Sequence, residues 1–187
     1  MKWTEYFKTI THHITRSIIS TFLRLIPEIM VKSKFHLPIT ILKQRIESIR
    51  VHSKAKKKAK EKLKRLTSRS QGRKLDTVFH NIEVFMRGWL GYYGIAEMKS
   101  DMERWNEWLR RRIRMYIWKQ WKLPRTRVEN LKKLGMPDWK AYRNGNTRKG
   151  YWAVAGSGIL THTITNERLV HRGYYDISEA YKSLHYL

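Results

Sequence analysis

The sequence predicts a mainly α-helical protein, a small helical bundle with short C-terminal helices and at most a short strand or hairpin. Apolar residues recur every three or four positions in several long segments, which is the spacing of one face of an α-helix. Polar connectors that contain Gly or Pro separate these segments. With 187 residues the chain is long enough for one domain or two small ones, with a core that needs no cross-links.

The first thirty residues are predicted to form an amphipathic helix. Its apolar side chains recur from Phe7 to Leu25, and Pro27 ends or kinks it. Two arginines interrupt the stretch, which argues against a signal peptide, and no run of about 18 apolar residues could span a membrane. A helix packed on the rest of the protein is favoured over a targeting or membrane-surface helix. Residues 47–52 are predicted to form a short strand.

Three helices are predicted in the middle of the chain. The first covers residues 53–66, with a narrow apolar stripe and lysines around most of its remaining surface. The second runs from Asp76, its predicted N-cap, to about Gly94. The third covers residues 101–121, opened by a capping box of Ser100 and Glu103.

Glycine recurs at every third position near the end of the second helix, at Gly88, Gly91 and Gly94. Each glycine in a helix interior costs about 1 kcal/mol relative to alanine, so the spacing needs a reason. Close approach of another helix is the favoured explanation, and close approach of a nucleic-acid backbone is the alternative.

The third helix combines a core face with a basic surface. Its predicted core face consists of Met102, Trp105, Leu109, Ile113, Tyr116 and Ile117. Arginines and lysines cover the rest, with Trp108 and Trp118 among them. Aromatic rings interleaved with cations suit a surface that stacks on bases and binds phosphates. Burial of both tryptophans by a neighbouring helix is an equally open alternative.

The C-terminal third is predicted to contain short helices. Gly135 and Gly173 are predicted helix ends, and Ser157 a helix start. The predicted N-caps are Thr126 (in a capping box with Glu129), Asp138, Asn166 and Ser178.

The charge of the chain predicts a polyanionic partner. Forty Lys and Arg face fifteen Asp and Glu, a formal net charge of +25, and residues 51–125 carry +14 of it. Nucleic acid is the favoured partner, because neutralised phosphates release counterions and drive binding. Twenty-three aromatic residues provide a core, unlike a disordered basic tail. The alternatives are a solvated basic surface without a specific partner and an anionic membrane.

The sequence offers no catalytic constellation. Metal-dependent phosphoryl transfer needs clustered carboxylates, and the four Asp residues are far apart in the sequence. Motifs for zinc hydrolases, phosphate-binding loops and nucleophilic serine are missing. There is no Cys, and the His residues lack ligand spacing. No enzymatic activity, cofactor or metal site is therefore predicted.

Five separated blocks together resemble one family. They are RVHSKAKKKAKEKLKRLTSRS at 50–70, RGWLGYYG at 87–94, WLRRRIRMYIWKQWKLPRTRVENLKKLG at 108–135, NTRKGYW at 146–152 and TNERLVHRGYY at 165–175. Their order and spacing are similar to the maturase-specific (X, or thumb) domain of group II intron-encoded reverse transcriptases. The resemblance covers about residues 49–187. It divides the chain into an unassigned segment, 1–48, and a maturase-specific domain, 49–187, with a basic helical thumb (49–122) and a C-terminal subdomain (123–187).

The resemblance implies a helical thumb that grips group II intron RNA and assists its splicing, while the RNA itself does the chemistry. The fingers and palm that precede this domain in the family, with their Y-x-D-D motif, and the endonuclease that follows it are not recognised in this sequence. Reverse transcription is therefore not expected of the chain alone. The alternative is the thumb of a split or truncated reverse transcriptase, which needs a palm polypeptide in trans. The cytoplasm of a bacterium is favoured over an organelle as its location.

The predicted RNA-binding residues lie on the middle helices and the connectors next to them. Trp108 and Trp118 are the candidates for base stacking. The basic candidates are Lys54, Lys56, Lys57, Lys58, Lys60, Lys64, Arg65, Arg69, Arg87, Arg104, Arg110, Arg111, Arg114, Lys119, Lys122, Arg125 and Arg127.

Overall fold

The computed structural model of the chain describes residues 49–185, and the predicted N-terminal helix lies outside them. Within these residues the protein is a small helical bundle without a strand, which confirms the predicted fold class. The helices are, in order, α1 (Ser53–Leu66), α2 (Leu75–Tyr93), α3 (Lys99–Gln120), α4 (Pro124–Lys133), α5 (Asp138–Gly145), α6 (Tyr151–Ala155), α7 (Gly158–Thr163), α8 (Asn166–His171) and α9 (Ile177–His185). No helix in this part of the chain is long and apolar enough to cross a membrane.

The longest of these helices, α3, lies at the centre of the core. The six residues of its predicted core face are all buried, which confirms that face. Helices α6 and α9 pack against it, and Met115 and Trp118 are buried as well. Because several elements surround α3, little of its circumference remains for a solvent-facing surface.

Helices α1 and α2 pack on each other through the stripes that the sequence predicts. On α1, Ala59 and Leu63 are buried, and on α2, Phe79, Ile82 and Met86 are. The bounds of α1 agree with the prediction at both ends. Hydrophobic burial is the main force that holds such an amphipathic helix in place.

The glycines near the end of α2 do not share one explanation. Gly88 is exposed, and a Cβ added there would meet nothing within 4 Å, so the prediction of close helix approach is wrong at this position. At Gly94 an added Cβ would lie 3.1 Å from Cδ1 of Leu184, so a close approach does occur there.

Several helices begin earlier than the cap residues predict. Ser100 lies inside α3, whose N-cap is Met98, and Thr126 lies inside α4, whose first residue is a proline. Proline suits this position because its missing N–H would have no helical partner. The predicted caps Asp76, Asp138, Asn166 and Ser178 are likewise inside their helices.

Two other residues provide the cap hydrogen bonds in the C-terminal region. The Thr165 hydroxyl accepts a hydrogen bond from the backbone N–H of Arg168 at the start of α8 (3.2 Å). Oδ1 of Asp176 accepts from the N–H groups of Ser178 and Glu179 at the start of α9 (both 3.0 Å). Both residues thus satisfy N–H groups that the first helical turn leaves without partners.

The predicted short strand is not present in its described part. Residues 49–52 have no regular secondary structure, and residues 47 and 48 lie outside the described range. The carbonyl of Ile49 accepts a hydrogen bond from the N–H of Glu97 (3.1 Å), which fastens this segment beside the α2–α3 connector. The predicted domain boundaries, after residues 48 and 122, stay predictions.

A buried polar network joins α3 to the segment before α9. The Tyr174 hydroxyl donates to Oδ1 of Asn106 (2.6 Å), and Nδ2 of Asn106 donates to Oδ1 of Asp176 (2.7 Å). Burial raises the pKa of Tyr174, so its phenol stays protonated and keeps donating at all physiological pH values. Among the described residues, no buried side-chain polar atom lacks a partner.

A second buried contact joins α9 to the α2–α3 connector. The Tyr181 hydroxyl donates to the carbonyl of Ala96 (2.8 Å) and accepts from the N–H of Met98 (3.0 Å). All three residues are buried.

We expect Tyr181→Phe to lower the free energy of unfolding by about 2 kcal/mol, because a buried backbone donor and acceptor lose their partner. Urea denaturation followed by circular dichroism measures this. Tyr142→Phe, at an exposed ring, is the control and should change stability by less than about 0.5 kcal/mol; equal effects of the two variants would contradict the assignment.

Asp101 connects the start of α3 to α1. Its carboxylate accepts a hydrogen bond from Nζ of Lys56 and another from Nη2 of Arg104 (2.7 Å). The hydrogen bond from Lys56, and then the charges of Lys56 and Arg104, hold the pKa of Asp101 below its ordinary value, although burial opposes the shift. A carboxyl group with a lowered folded-state pKa stabilises the fold above its unfolded pKa, about 4, and this contribution is lost as the pH falls through the folded-state value.

We therefore expect Asp101→Asn to lower the thermal midpoint by a few degrees at pH 7 and to make little difference below about pH 3, where the wild-type carboxyl is protonated as well. Thermal unfolding at a series of pH values measures this. Asp138→Asn serves as the control, because Asp138 forms an exposed ion pair with Lys132 (2.8 Å) and such pairs contribute little. A deficit of the Asp101 variant that persists unchanged at acidic pH would contradict the role of the charge.

Candidate nucleic-acid interface

Lys57, Lys60 and Lys64 lie along the side of α1 that faces α3. They line a groove of about 410 Å³ together with Trp108 of α3 and Trp152 of α6. We call it the α1–α3 groove. It brings together lysines that the sequence predicts as phosphate ligands and one of the two tryptophans predicted to stack on bases.

Two cations lie near the ring of Trp108 in this groove. Nζ of Lys60 is 5.3 Å from the centroid of its ring, and Cζ of Arg112 is 5.2 Å from it. Cations at these distances are attracted by the electron-rich face of an indole. Because Trp108 is only half-buried, its ring remains part of the groove wall.

Arg112 fixes the position of α1 relative to α3. Its Nε donates to Oγ1 of Thr67 (2.6 Å), and its Nη2 donates to the carbonyls of Lys64 (2.9 Å) and Thr67 (3.3 Å). These groups lie at the C-terminal end of α1, where carbonyls lack helical partners and the helix dipole favours a cation. Burial lowers the pKa of Arg112, yet an arginine stays protonated at neutral pH.

Trp152 closes the groove from the side of α6. The guanidinium of Arg111 lies 4.1 Å from the ring centroid of Trp152, and Nη2 of Arg111 donates to the backbone carbonyl of Trp152 (3.0 Å). A Cβ added at Gly156 would overlap this guanidinium, so glycine leaves the room that Arg111 needs. Arg111 therefore holds α6 on α3, and Trp152 remains 39% exposed.

A second cluster surrounds the neighbouring residue Tyr151. Arg69, Lys119 and Arg127 lie 4.8, 5.2 and 5.9 Å from its ring centroid. They come from the α1–α2 connector, α3 and α4, and all three are predicted RNA-binding residues. We call this group the Tyr151 cluster.

The α1–α3 groove and the Tyr151 cluster are adjacent, because Trp152 and Tyr151 are consecutive residues of α6. Together they form what we call the basic–aromatic face. The cations of this face are Lys57, Lys60, Lys64, Arg69, Arg112, Lys119 and Arg127. Glu61 is the acidic residue that lines the groove. Such an arrangement can bind a chain of phosphates and present rings to exposed bases.

Two predicted RNA-binding arginines of α3 point away from this face. Arg114 is buried, and it donates to the carbonyl of Ile164 (2.9 Å) and to Oδ1 of Asn166 (2.8 Å). Burial lowers the pKa of Arg114, with a further contribution from the nearby charge of Arg110. Arg110 itself is mostly buried and pairs with Asp176 (3.4 Å). The prediction that these two side chains contact RNA is therefore corrected, because both hold α3 to the C-terminal helices.

Trp118 is also removed from the surface. It is 1% exposed, with Trp121 against its edge and Arg127 over its ring at 4.8 Å. Of the two alternatives for this residue, burial by neighbouring helices is the one observed. Base stacking on Trp118 is not available in this structure.

The remaining predicted cations are distributed around the bundle. Lys56 and Arg104 contact Asp101, Arg87 pairs with Glu83 (2.8 Å), and Arg125 pairs with Glu129 (3.1 Å). The Arg87–Glu83 and Arg125–Glu129 pairs are largely exposed, and such pairs are weak and open readily. Lys54 and Lys58 line another groove, between α1 and α2, while Arg65 and Lys122 are exposed.

Sequence analysis missed three residues of the basic–aromatic face as individual site residues: Arg112, Tyr151 and Trp152. All three belong to blocks that carry the family resemblance, so the signal was present in the sequence. Two exposed rings of α5 were also missed, those of Trp139 (62% exposed) and Tyr142 (56%). Nζ of Lys140 lies 5.1 Å from the ring centroid of Trp139, and Nζ of Lys132 lies 4.5 Å from that of Tyr142.

Comparison with known families agrees with the resemblance over the centre of the chain. Residues 56–135, from the first turn of α1 to the end of α4, match the family described as "Group II intron, maturase-specific domain". No curated protein matches the chain. The match implies a maturase role in group II intron splicing. The matched region includes part of the block at 50–70 and all of the blocks at 87–94 and 108–135. The blocks at 146–152 and 165–175 lie beyond it. The family match over residues 56–135 therefore agrees with the resemblance of this chain to the group II intron maturase-specific domain.

Proposed function

We propose that this protein binds structured group II intron RNA through the basic–aromatic face and stabilises the folded, splicing-competent form of that RNA. In this proposal the chain itself catalyses no reaction. The family match covers the helices that supply most of the cations of the face. The palm polypeptide in trans stays a prediction from the resemblance.

One observation carries the proposal: three lysines of α1 and Arg112 of α3 converge around Trp108 in a single groove. Like charges on neighbouring turns of a helix repel one another by a few tenths of a kcal/mol per pair. A polyanion that lies across them relieves this repulsion and releases its own counterions. The indole adds a contact that a simple charged surface lacks, because an unstacked base can lie against it.

The rigidity of the face favours structured RNA over an arbitrary polyanion. Arg112 is bonded to the end of α1, and Arg111 holds α6. The helices that carry the lysines and rings are therefore held together by these contacts. An RNA whose phosphates already have a matching arrangement loses less conformational freedom on binding than a flexible chain does.

Three of the four aspartates of the chain have structural partners. Asp101 is bound by Lys56 and Arg104, Asp176 by Asn106 and Arg110, and Asp138 by Lys132. These three side chains lie in separate contacts, each with a structural partner. Within residues 49–185, no three His, Asp or Glu side chains are grouped so that they could hold a metal ion.

We expect replacement of Lys57, Lys60 and Lys64 by Gln to weaken binding of the group II intron transcript encoded nearest the gene. If each lysine contacts one phosphate, the slope of log affinity against log salt falls by about 2 to 3. Filter binding at several salt concentrations measures the slope. The control variant removes the same charge from α5 and the connector that follows it, by replacing Lys140, Arg143 and Lys149, which are exposed. Equal slopes for the two variants would refute this face.

We also expect the purified protein to accelerate splicing of that transcript at a low magnesium concentration, where the RNA folds poorly alone. The variant with three lysines replaced should be at least about tenfold less effective, whereas the control variant should act like the wild type. Formation of excised intron is the measurement. If the wild-type protein binds the transcript without accelerating its splicing, the maturase role fails while RNA binding stands.

A further inference from the structure

The lysines of α1 form two rows on opposite sides of the helix. Lys57, Lys60 and Lys64 line the α1–α3 groove, whereas Lys54, Lys58 and Lys62 line a groove between α1 and α2. The second row has a spacing of four residues, which places its Cα atoms about 6 Å apart along the helix. We call its groove the α1–α2 groove. The two rows thus face different surroundings.

The floor of the α1–α2 groove is aromatic. Phe85, Trp89 and Tyr93 follow one another at intervals of four along α2, and all three are half-buried. On the α1 side the wall consists of Ala55 and Ala59. Because alanine side chains are short, α1 does not cover the rings, and a space of about 520 Å³ remains above them. This volume is in the range of pockets that bind small organic groups.

The central ring of this floor is held from behind. The ring of Trp89 lies 5.3 Å from that of Trp105 on α3 and 4.9 Å from that of Tyr93. Trp105 is buried, so these contacts fix the indole from the core side. A ligand that enters the groove therefore meets a ring that is already ordered.

The rim of the groove carries positive charge only. Lys54, Lys58 and Lys62 are exposed, and no carboxylate is present among the described residues that line the groove. An apolar ligand alone would not need three cations, and a lone phosphate would not need three rings. Unpaired RNA has both partners, since its bases expose flat faces and its backbone carries one negative charge per nucleotide.

We propose that the α1–α2 groove binds an unpaired RNA strand, with bases stacked on Trp89 and its aromatic neighbours and phosphates along Lys54, Lys58 and Lys62. This inference rests on the proposed function, because RNA is the partner in both, but it assigns a second site and a different RNA element. A duplex does not fit the site, because its base faces are covered by their stacked neighbours. Helix α1 then separates structured RNA, in the α1–α3 groove, from a single strand on its other side.

The test compares two probes with the same number of phosphates: a 12-nucleotide oligouridine and an oligomer of the same length without bases. Fluorescence anisotropy with the full chain measures both affinities. The wild-type protein should bind oligouridine about tenfold more tightly, because only that probe can stack. Ala55→Phe should reduce this preference by at least about threefold, because it fills the space above Trp89 and leaves stacking to rings elsewhere, such as Trp108. Thr77→Phe is the matched control, since Thr77 is exposed on α2 and does not line the groove, and it should keep the preference.

Two further variants complete the test. Trp89→Leu should also reduce the preference for bases, and its thermal midpoint shows whether it is folded. Replacement of Lys54, Lys58 and Lys62 by Gln should weaken both probes equally and leave the preference intact. If Ala55→Phe retains the tenfold preference, the proposal is overturned. If oligoglutamate of equal charge binds as tightly as oligouridine and Ala55→Phe blocks both, the groove accepts acidic peptide and the proposal is likewise wrong.

The two sites fail independently. The Lys57, Lys60 and Lys64 variant tests binding of the intron transcript, whereas Ala55→Phe tests the preference for bases over an abasic chain. If Ala55→Phe reduces the preference for bases while the Lys57, Lys60 and Lys64 variant has the wild-type transcript slope, the α1–α2 groove is supported and the basic–aromatic face is refuted. If Ala55→Phe keeps the preference while the lysine variant has a smaller slope, the basic–aromatic face is supported and the α1–α2 groove is refuted.

Discussion

Helix α1 concentrates like charge on a short segment, and its attachment to α3 compensates for that charge. The buried stripe of Ala59 and Leu63 packs α1 against α2, whereas polar contacts attach α1 to α3. Near one end of the helix, Lys56 is paired with Asp101, and at the other end Arg112 binds the terminal carbonyls. Burying the Arg112 guanidinium would cost several kcal/mol if it were unpaired, and its hydrogen bonds offset much of this cost. The two grooves lie along α1, one beside α2 and one beside α3.

Hydrophobic periodicity made some parts of the structure predictable from the sequence and left others undetermined. The bounds of α1 and the core face of α3 follow from local periodicity, because each apolar stripe has a single place to be buried. The solvent side of α3 does not follow in the same way. A periodic pattern identifies the face that is most apolar, but it does not show that further elements cover the rest. Arg110 and Arg114 were therefore assigned to RNA, whereas they hold later helices through Asp176 and Ile164.

The aromatic residues of α6 could not be identified as site residues from the sequence pattern. Trp152 and Tyr151 belong to a five-residue helix that has no periodicity to interpret. Their position depends on Arg111, which lies forty residues earlier and reaches the Trp152 carbonyl beside Gly156. Helix starts were also misplaced. Leu123 and Thr165 are the N-caps of α4 and α8, whereas local sequence pattern had indicated Thr126 and Asn166.

Charge alone does not distinguish the two sides of α1, since each row contributes three lysines. The difference lies in the rings behind the rows. On the α3 side, Lys60 and Arg112 lie 5.3 and 5.2 Å from the Trp108 ring centroid, so an incoming phosphate can join an existing charged group. On the α2 side, Trp89 contacts other rings and no cation–π partner is found for it among the described residues, so its exposed surface is left for a base. In the two proposals, lysines on both sides of the helix supply affinity for RNA, and the open aromatic floor at Trp89 adds the site for an unpaired strand.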